Sequence, residues 1–130
     1  MSDLLFDTCF LIDLERELYR GGGRIHAFLG EWRLARAWIS LTVVGEFAEG
    51  FGDVNEPACE AMLSRFNVLG MDRSTATHYA RITRLLRKKG QLIGANDLWI
   101  AAAACASGFY LVTNNTKHFA HIPGLKICSY

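Results

Sequence analysis

Short apolar runs alternate along this chain with longer stretches in which apolar residues recur at helical spacing. The strand candidates are residues 4–6, 37–41, 66–69, 109–112 and 125–127. Parallel strands need long crossover connections, usually helices, so the alternation predicts a parallel sheet of about five strands with helices on both faces. The expected fold class is a three-layer α/β/α domain. The length of 130 residues predicts one domain over residues 1–130.

The helical patterns have recognisable starts and ends. Helices are predicted over residues 8–20, 25–35, 42 onward, 56–65, 74–89 and 95–107. Three glycines at 21–23 end the first helix, and Thr42 is the expected N-cap of the third. The helix over 95–107 is apolar nearly all round, so we expect it to be buried.

Charge is distributed unevenly along the chain although the net charge is only +1. Residues 1–60 carry 11 acidic and 5 basic side chains, whereas residues 61–130 carry 2 acidic and 9 basic ones. The small net charge excludes a polycationic binder. The asymmetry between the halves suggests nucleic-acid binding; the alternative is that the two halves interleave in the fold, so that the asymmetry has no functional meaning.

The cysteines and the apolar runs indicate in which cellular compartment the protein is located. None of the four cysteines forms a C-x-x-C pair, and all lie among apolar residues, so we expect reduced core thiols and no zinc site. The N-terminus lacks the basic start of a signal peptide, and the longest apolar run, residues 98–106, is too short to span a bilayer. We expect a cytoplasmic protein that does not associate with membranes.

Polar residues follow the predicted strands and begin the predicted helices. Asp7 ends the first strand, Thr113-Asn114-Asn115 ends the fourth, and Glu46 and Asp97 lie in early turns of helices. The carboxyl ends of parallel strands meet at one edge, where such folds bind ligands, so these carboxylates are expected to converge. Three converging carboxylates repel one another, and a divalent cation would relieve the repulsion.

Carboxylate oxygens without clustered His or Cys favour Mg²⁺ or Mn²⁺ over zinc. His118 and His121 lie three residues apart in a short loop, and this spacing is interpreted as accidental. The structural alternatives are that Asp7 and Asp97 are helix N-caps and that Glu46 faces solvent.

Five segments occur in an order and spacing that carry a family resemblance. They are Leu5-Phe6-Asp7-Thr8, Thr42-Val43-Val44-Gly45-Glu46-Phe47, Gly94-Ala95-Asn96-Asp97-Leu98-Trp99-Ile100-Ala101-Ala102, Leu111-Val112-Thr113-Asn114-Asn115-Thr116-Lys117-His118-Phe119 and Ile122-Pro123-Gly124-Leu125. Together they resemble the PIN-domain nucleases, most closely the VapC-type toxins of bacterial type II toxin–antitoxin pairs. The resemblance runs over essentially the whole chain.

The resemblance implies an endoribonuclease that depends on Mg²⁺ or Mn²⁺ and leaves 5′-phosphate and 3′-hydroxyl ends. Asp7, Glu46 and Asp97 match the family's acidic metal-binding and catalytic positions. Thr8 and Asn115 match supporting polar positions, and Thr113 or Asn115 is expected to orient the attacking water or the phosphate. The resemblance further implies a VapB-like antitoxin partner and a homodimer.

The chain departs from the family pattern at a fourth acidic position. Many relatives carry an acid near residues 115–118, whereas no Asp or Glu follows Asp97 here. A second metal is therefore expected to bind weakly or only with RNA. The departure leaves open a catalytically weak or inactive PIN-like interaction module. A haloacid-dehalogenase-type phosphatase is disfavoured, since the second acid it needs is replaced by Cys9.

Basic residues recur at helical spacing within residues 74–89. They are Arg81, Arg84, Arg87 and Lys88. Spacing of three to four residues places them on one helix face, which predicts a track for the RNA backbone. An ordinary solvated helix face is the alternative.

Overall fold

The computed structural model describes residues 2–53 and 55–130 and confirms a five-stranded parallel sheet. The strands are β1 (Asp3–Phe6), β2 (Arg36–Ser40), β3 (Asn67–Leu69), β4 (Tyr110–Val112) and β5 (Ile127–Cys128). Their spatial order is β3-β2-β1-β4-β5, and every adjacent pair is parallel. Along the chain, β2 and β3 are therefore added on one side of β1, and β4 and β5 are then added on the other side. The crevice beyond the carboxyl ends of β1 and β4 is the place where such sheets bind ligands.

At least one helix lies in each connection between successive strands, as the parallel order requires. They are α1 (Thr8–Arg20), α2 (Arg24–Glu31), α3 (Leu41–Glu49), α4 (Pro57–Leu63), α5 (Arg73–Lys88), α6 (Ala95–Ser107) and α7 (Thr116–Phe119). The longest of them, α5, packs against α6, and the Tyr79 and Trp99 rings stack with centroids 3.9 Å apart. Thr75 in the first turn of α5 lines a cavity with Ser107 at the end of α6, so the two helices are antiparallel.

The central strand, β1, is covered by other parts of the chain on both faces of the sheet. Leu4, Leu5 and Phe6 are consecutive and expose at most 1% of their surface each. Side chains alternate between the faces of a strand, so a continuously buried strand needs layers of helices on both sides. The predicted α/β/α architecture is confirmed. The buried run from Ile100 to Ala104 confirms that α6 is a core helix.

Several predicted boundaries differ from the structure. The helix predicted over 25–35 ends at Glu31, because a turn in which Ala35 N donates to Trp32 O redirects the chain into β2. The strand predicted over 125–127 lies at Ile127–Cys128. The four-residue helix α7 was not predicted, since one turn is too short to establish a periodicity.

The N-cap of α3 is Ser40, so the prediction of Thr42 is wrong. Ser40 has extended φ and ψ angles of −79° and 164°, and its hydroxyl accepts a hydrogen bond from Val43 N at 3.3 Å. The helix thus begins directly at the end of β2, with no linking residue. Leu41 belongs to the helix, although its apolar side chain had favoured its assignment to the strand.

No helix in residues 2–53 and 55–130 is long and apolar enough to cross a membrane. All four cysteines are free thiols, but only Cys59 is buried; Cys9, Cys105 and Cys128 are partly buried, so the prediction of core thiols is wrong for these three.

Candidate active site

Asp7 lies in the crevice beyond the carboxyl end of β1 and is 6% exposed. It is the N-cap of α1, and its Oδ1 accepts a 2.8 Å hydrogen bond from Thr8 N, which confirms the capping interpretation. Its other oxygen, Oδ2, accepts a 2.8 Å hydrogen bond from the Thr113 hydroxyl and lies 3.6 Å from Cys9 Sγ. Capping therefore uses one carboxylate oxygen and leaves the second facing the end of β4.

Glu46 lies in the second turn of α3 and is held at both oxygens. Thr8 Oγ1 donates to its Oε1 at 2.7 Å, and Asn96 Nδ2 donates to its Oε2 at 3.0 Å. Thr8 directly follows Asp7, and Asn96 directly precedes Asp97. Glu46 thus bridges the chain segments that carry the other two carboxylates, and the alternative of a free, solvent-facing Glu46 is wrong.

Asp97 is the third residue of α6 and does not cap it. The N-cap is Gly94, which has no side chain to accept a hydrogen bond, so the interpretation of Asp97 as an N-cap is wrong. Asp97 Oδ2 instead lies 3.1 Å from Nδ1 of His118, in a contact that joins α6 to α7. The Asp97 side chain is 26% exposed, so it is the more accessible partner of Asp7.

The segment after β4 connects these carboxylates. Thr113 is fully buried; its hydroxyl donates to Asp7 and accepts a 3.0 Å hydrogen bond from Asn115 N. The Asn115 side-chain amide lies 2.9 Å from His118 Nδ1, and His118 contacts Asp97. One short stretch of chain therefore contacts Asp7 at its start and Asp97 at its end.

The surroundings of Asp7 are unfavourable to its ionised form. Burial raises the pKa of Asp7, and the nearby charge of Asp97 raises it further, against the hydrogen bonds from Thr113 and Thr8. Among residues 2–53 and 55–130, no Lys or Arg forms an ion pair with Asp7, Glu46 or Asp97. A buried carboxylate with a second carboxylate nearby and no cationic side chain fits a divalent cation bound through oxygen ligands.

The carboxylates are not arranged as a finished ligand cage. Within the described ranges, no three His, Cys, Asp or Glu side chains are grouped closely enough to hold one ion. Each carboxylate has at least one oxygen hydrogen-bonded to a neighbouring side chain, namely Thr113 for Asp7, Thr8 and Asn96 for Glu46, and His118 for Asp97.

Three residues of the crevice were not among the predicted site residues. The sequence places Asn96 only within a motif, predicts a core thiol at Cys9 and gives His118 no role. Their contacts with Glu46, Asp7 and Asp97 are tertiary, apart from that of Cys9, which lies two residues from Asp7. The one local signal for His118 is its position three residues after Asn115, the N-cap of α7.

The predicted basic track lies on α5 and is solvent-exposed. Arg81, Arg84, Arg87 and Lys88 are all exposed. None of them forms an ion pair with a side chain in the described part of the chain. Arg87 and Lys88 lie in the last turn of α5, at the end of the antiparallel helix pair where α6 begins and Asp97 is located.

Comparisons with known proteins identify relatives along most of the chain. The family model described as "PIN domain" matches residues 4–125. The chain is 32% identical over 105 residues to ribonuclease VapC1 of Haemophilus influenzae strain R2866, an alignment that covers 79% of this chain and 78% of the relative. In fold it resembles VapBC2 from Rickettsia felis bound to a promoter DNA fragment, with a TM-score of 0.86, 25% identity and 99% coverage of both chains. It also resembles a toxin–antitoxin complex from Klebsiella pneumoniae, with a TM-score of 0.65, 29% identity and 94% coverage of both chains.

Proposed function

The chain belongs to the PIN-domain family, and we propose that it is a metal-dependent endoribonuclease, the toxin of a type II toxin–antitoxin pair. The observation that carries this proposal is the crevice at the ends of β1 and β4. There Asp7 is buried near Asp97 with no cationic partner among the residues that the structure describes, and Glu46 is hydrogen-bonded to both chain segments. The ribonuclease name of a relative at 32% identity supports the activity.

Asp7 and Asp97 are the residues that would hold Mg²⁺ or Mn²⁺, with Glu46 as a third ligand either directly or through water. When bound, such an ion lowers the pKa of a coordinated water and neutralises charge on the phosphoryl oxygens during hydrolysis. Oxygen ligands of this type favour these two ions over zinc.

The neutral residues of the crevice keep the carboxylates in place. Thr113 is fully buried and its proton is directed at Asp7, so it orients that carboxylate and does not contact RNA. Thr8 and Asn96 each supply one donor to Glu46, which fixes both of its oxygens. Asn115 is half-buried beside His118, and its side chain is proposed to orient water or the phosphate.

The exposed basic residues of α5 are proposed to contact the RNA backbone. Arg87 and Lys88 lie nearest the start of α6, and Arg81 and Arg84 continue the row along the same helix. Phosphate contacts of this kind supply sequence-independent affinity and position the strand. Cleavage specificity would then depend on other contacts with the RNA.

The proposed partners are a VapB-like antitoxin and a second copy of the chain in a homodimer. The resemblance to VapBC2 and to a toxin–antitoxin complex supports the antitoxin. A toxin of this kind acts on cellular RNA, so we place it in the cytoplasm.

The test is cleavage of total cellular RNA by the purified chain, free of antitoxin, in Mg²⁺ or Mn²⁺ and in EDTA. Asp97→Asn and Glu46→Gln are run in parallel. Glu49→Gln is the matched control, because Glu49 is an exposed carboxylate one turn further along α3. We expect discrete products only with the metal, which both site variants lose and the control retains.

A second candidate function is an interaction module with weak or no catalysis. It is favoured by the presence of Asn115 and His118, which carry no carboxylate, where many relatives carry a fourth acid. Absence of cleavage by the wild type across several RNA classes, with Mn²⁺ binding retained, would favour this alternative.

A further inference from the structure

His118 projects from α7 onto Asp97. The next residue, Phe119, is fully buried and anchors this short helix to the core, whereas the His118 side chain is 53% exposed. Its Nδ1 lies 3.1 Å from Asp97 Oδ2 and 2.9 Å from Asn115 Nδ2. Within residues 2–53 and 55–130, these are the only side-chain polar contacts of His118, and His118 is the only side-chain hydrogen-bond partner of Asp97.

The contact with Asp97 requires that Nδ1 of His118 carries a hydrogen. An ionised Asp97 only accepts hydrogen bonds, so Nδ1 must donate to it. An Nδ1–H group cannot also accept from an amide NH₂ group. The Asn115 amide is therefore turned so that its oxygen faces the ring, because the oxygen and nitrogen of an amide are assigned from their hydrogen bonds. His118 is thus held with Nδ1 as the donor to Asp97.

We propose that His118 is a positioning residue for Asp97, holding Oδ2 through Nδ1 so that Oδ1 is left to bind the divalent ion. This inference rests on the proposed function. It gives the segment after β4 a role in the site although that segment carries no acid. Asn115 positions His118, and His118 positions Asp97.

The exposure of the imidazole favours a role in the site over a role in folding. A half-exposed ring on a four-residue helix buries little apolar surface, and the core contact of α7 is made by Phe119. Asp97 is partly exposed on the first turn of α6, so without His118 its carboxylate is free to rotate. Residues that orient a metal ligand in this way typically change metal affinity by about 10–100-fold when they are replaced.

Three substitutions separate the roles of the two ring nitrogens. The amide nitrogen of Asn lies close to the position of Nδ1, whereas that of Gln lies close to the position of Nε2. His118→Asn therefore keeps the donor to Asp97, His118→Gln moves it and His118→Ala removes it. His121→Asn is the matched control, because His121 is an exposed histidine three residues away.

The measurement is the Kd of Mn²⁺ for the full chain by isothermal titration calorimetry, with no RNA present. We expect His118→Ala and His118→Gln to weaken binding by about tenfold or more, as for other residues that orient a metal ligand. His118→Asn and His121→Asn should stay within about threefold of the wild type, below that range. Thermal unfolding in EDTA should be nearly the same for all variants, because the side chain is half-exposed.

Equal Mn²⁺ affinity in the wild type and His118→Ala would overturn the positioning role. The positioning role would also be overturned if His118→Gln kept the wild-type affinity for Mn²⁺ and His118→Asn lost it, because that pattern would assign the function to Nε2. If the wild type binds Mn²⁺ and cleaves RNA, these outcomes leave the proposed function intact. If the wild type binds no Mn²⁺, both the positioning role and the proposed nuclease function are overturned. If Mn²⁺ affinity changes among the variants as expected but the wild type does not cleave RNA, only the nuclease function is contradicted.

Discussion

The hydroxyl of Thr113 donates a 2.8 Å hydrogen bond to Asp7 Oδ2, joining two residues that are 106 positions apart in sequence. The bond connects the ends of β4 and β1, the pair of strands at which the order of the sheet reverses. Both partners are buried, so the carboxylate is held where burial opposes its charge. The fold thus supports an ionised Asp7 only at a cost in stability.

Asp7→Asn is expected to make the metal-free protein more stable at pH 7 while abolishing RNA cleavage. Burial, with the charge of Asp97, raises the pKa of Asp7 above its ordinary value of 3.8, so the ionised group destabilises the folded state. The amide keeps an acceptor for Thr8 N and removes the charge.

The gain in the free energy of unfolding from Asp7→Asn should depend on pH. The wild-type penalty is fully present above the raised folded pKa and disappears as the pH falls from there toward 3.8, where the unfolded group also binds its proton. Urea unfolding in EDTA at several pH values measures this difference. Asp53→Asn, at an exposed carboxylate, should give no such gain. If the wild type were more stable than Asp7→Asn at every pH, the ionised Asp7 would not destabilise the folded state.

Thr8→Val should lower metal-dependent RNA cleavage by about 10–100-fold, the range for residues that orient metal ligands. The substitution keeps the shape of the side chain but removes the 2.7 Å hydrogen bond to Glu46 Oε1. Thr8→Ser retains the hydroxyl and should retain most of the activity. Initial cleavage rates at saturating Mn²⁺ measure the effect, and equal rates for Val and Ser would remove Thr8 from the site.

Much of the fold was predictable because it depends on local patterns. The bounds of α1 and α6 agree with the prediction, since a glycine follows each helix in the left-handed conformation, Gly21 at φ 80° and Gly108 at φ 75°. The cap at Ser40 was missed because an apolar residue follows it and was assigned to the strand.

Less of the site was predictable because its contacts are tertiary. The approximate positions of the three carboxylates follow from strand ends and helix starts. The hydrogen bonds from Asn96 to Glu46 and from His118 to Asp97 join residues 50 and 21 positions apart, and no spacing rule indicates either of them. Only the packing of α3, α6 and α7 around β1 and β4 brings these side chains together.

Ser40→Ala should lower the free energy of unfolding by about 1 kcal/mol, whereas Thr42→Ala should change it by less than about 0.5 kcal/mol. Ser40 is buried and its hydroxyl accepts from Val43 N, so its loss leaves a donor of the first turn of α3 without a partner. Equilibrium urea unfolding measures both variants. The reverse ranking would restore Thr42 as the functional cap.

Arg84→Ala should weaken RNA binding and reduce the slope of log K against log salt by about 0.7, the value for one single-strand phosphate contact. Arg73→Ala is the matched control, because Arg73 is exposed at the other end of α5, away from the start of α6. Fluorescence anisotropy at several salt concentrations, in EDTA to prevent cleavage, measures the slope. An unchanged slope for Arg84→Ala would identify this surface as an ordinary solvated face.

The chemical nature of the RNA ends that the wild type produces distinguishes hydrolysis by water from attack by the 2′-hydroxyl. Hydrolysis by water at a crevice built from Asp7, Glu46 and Asp97 requires no attack by the 2′-hydroxyl of the RNA. The products should therefore carry 5′-phosphate and 3′-hydroxyl ends, detected by direct ligation and by mass spectrometry, and should be absent in EDTA and with Asp97→Asn. Products with 2′,3′-cyclic phosphate ends, or cleavage that persists in EDTA, would contradict the account.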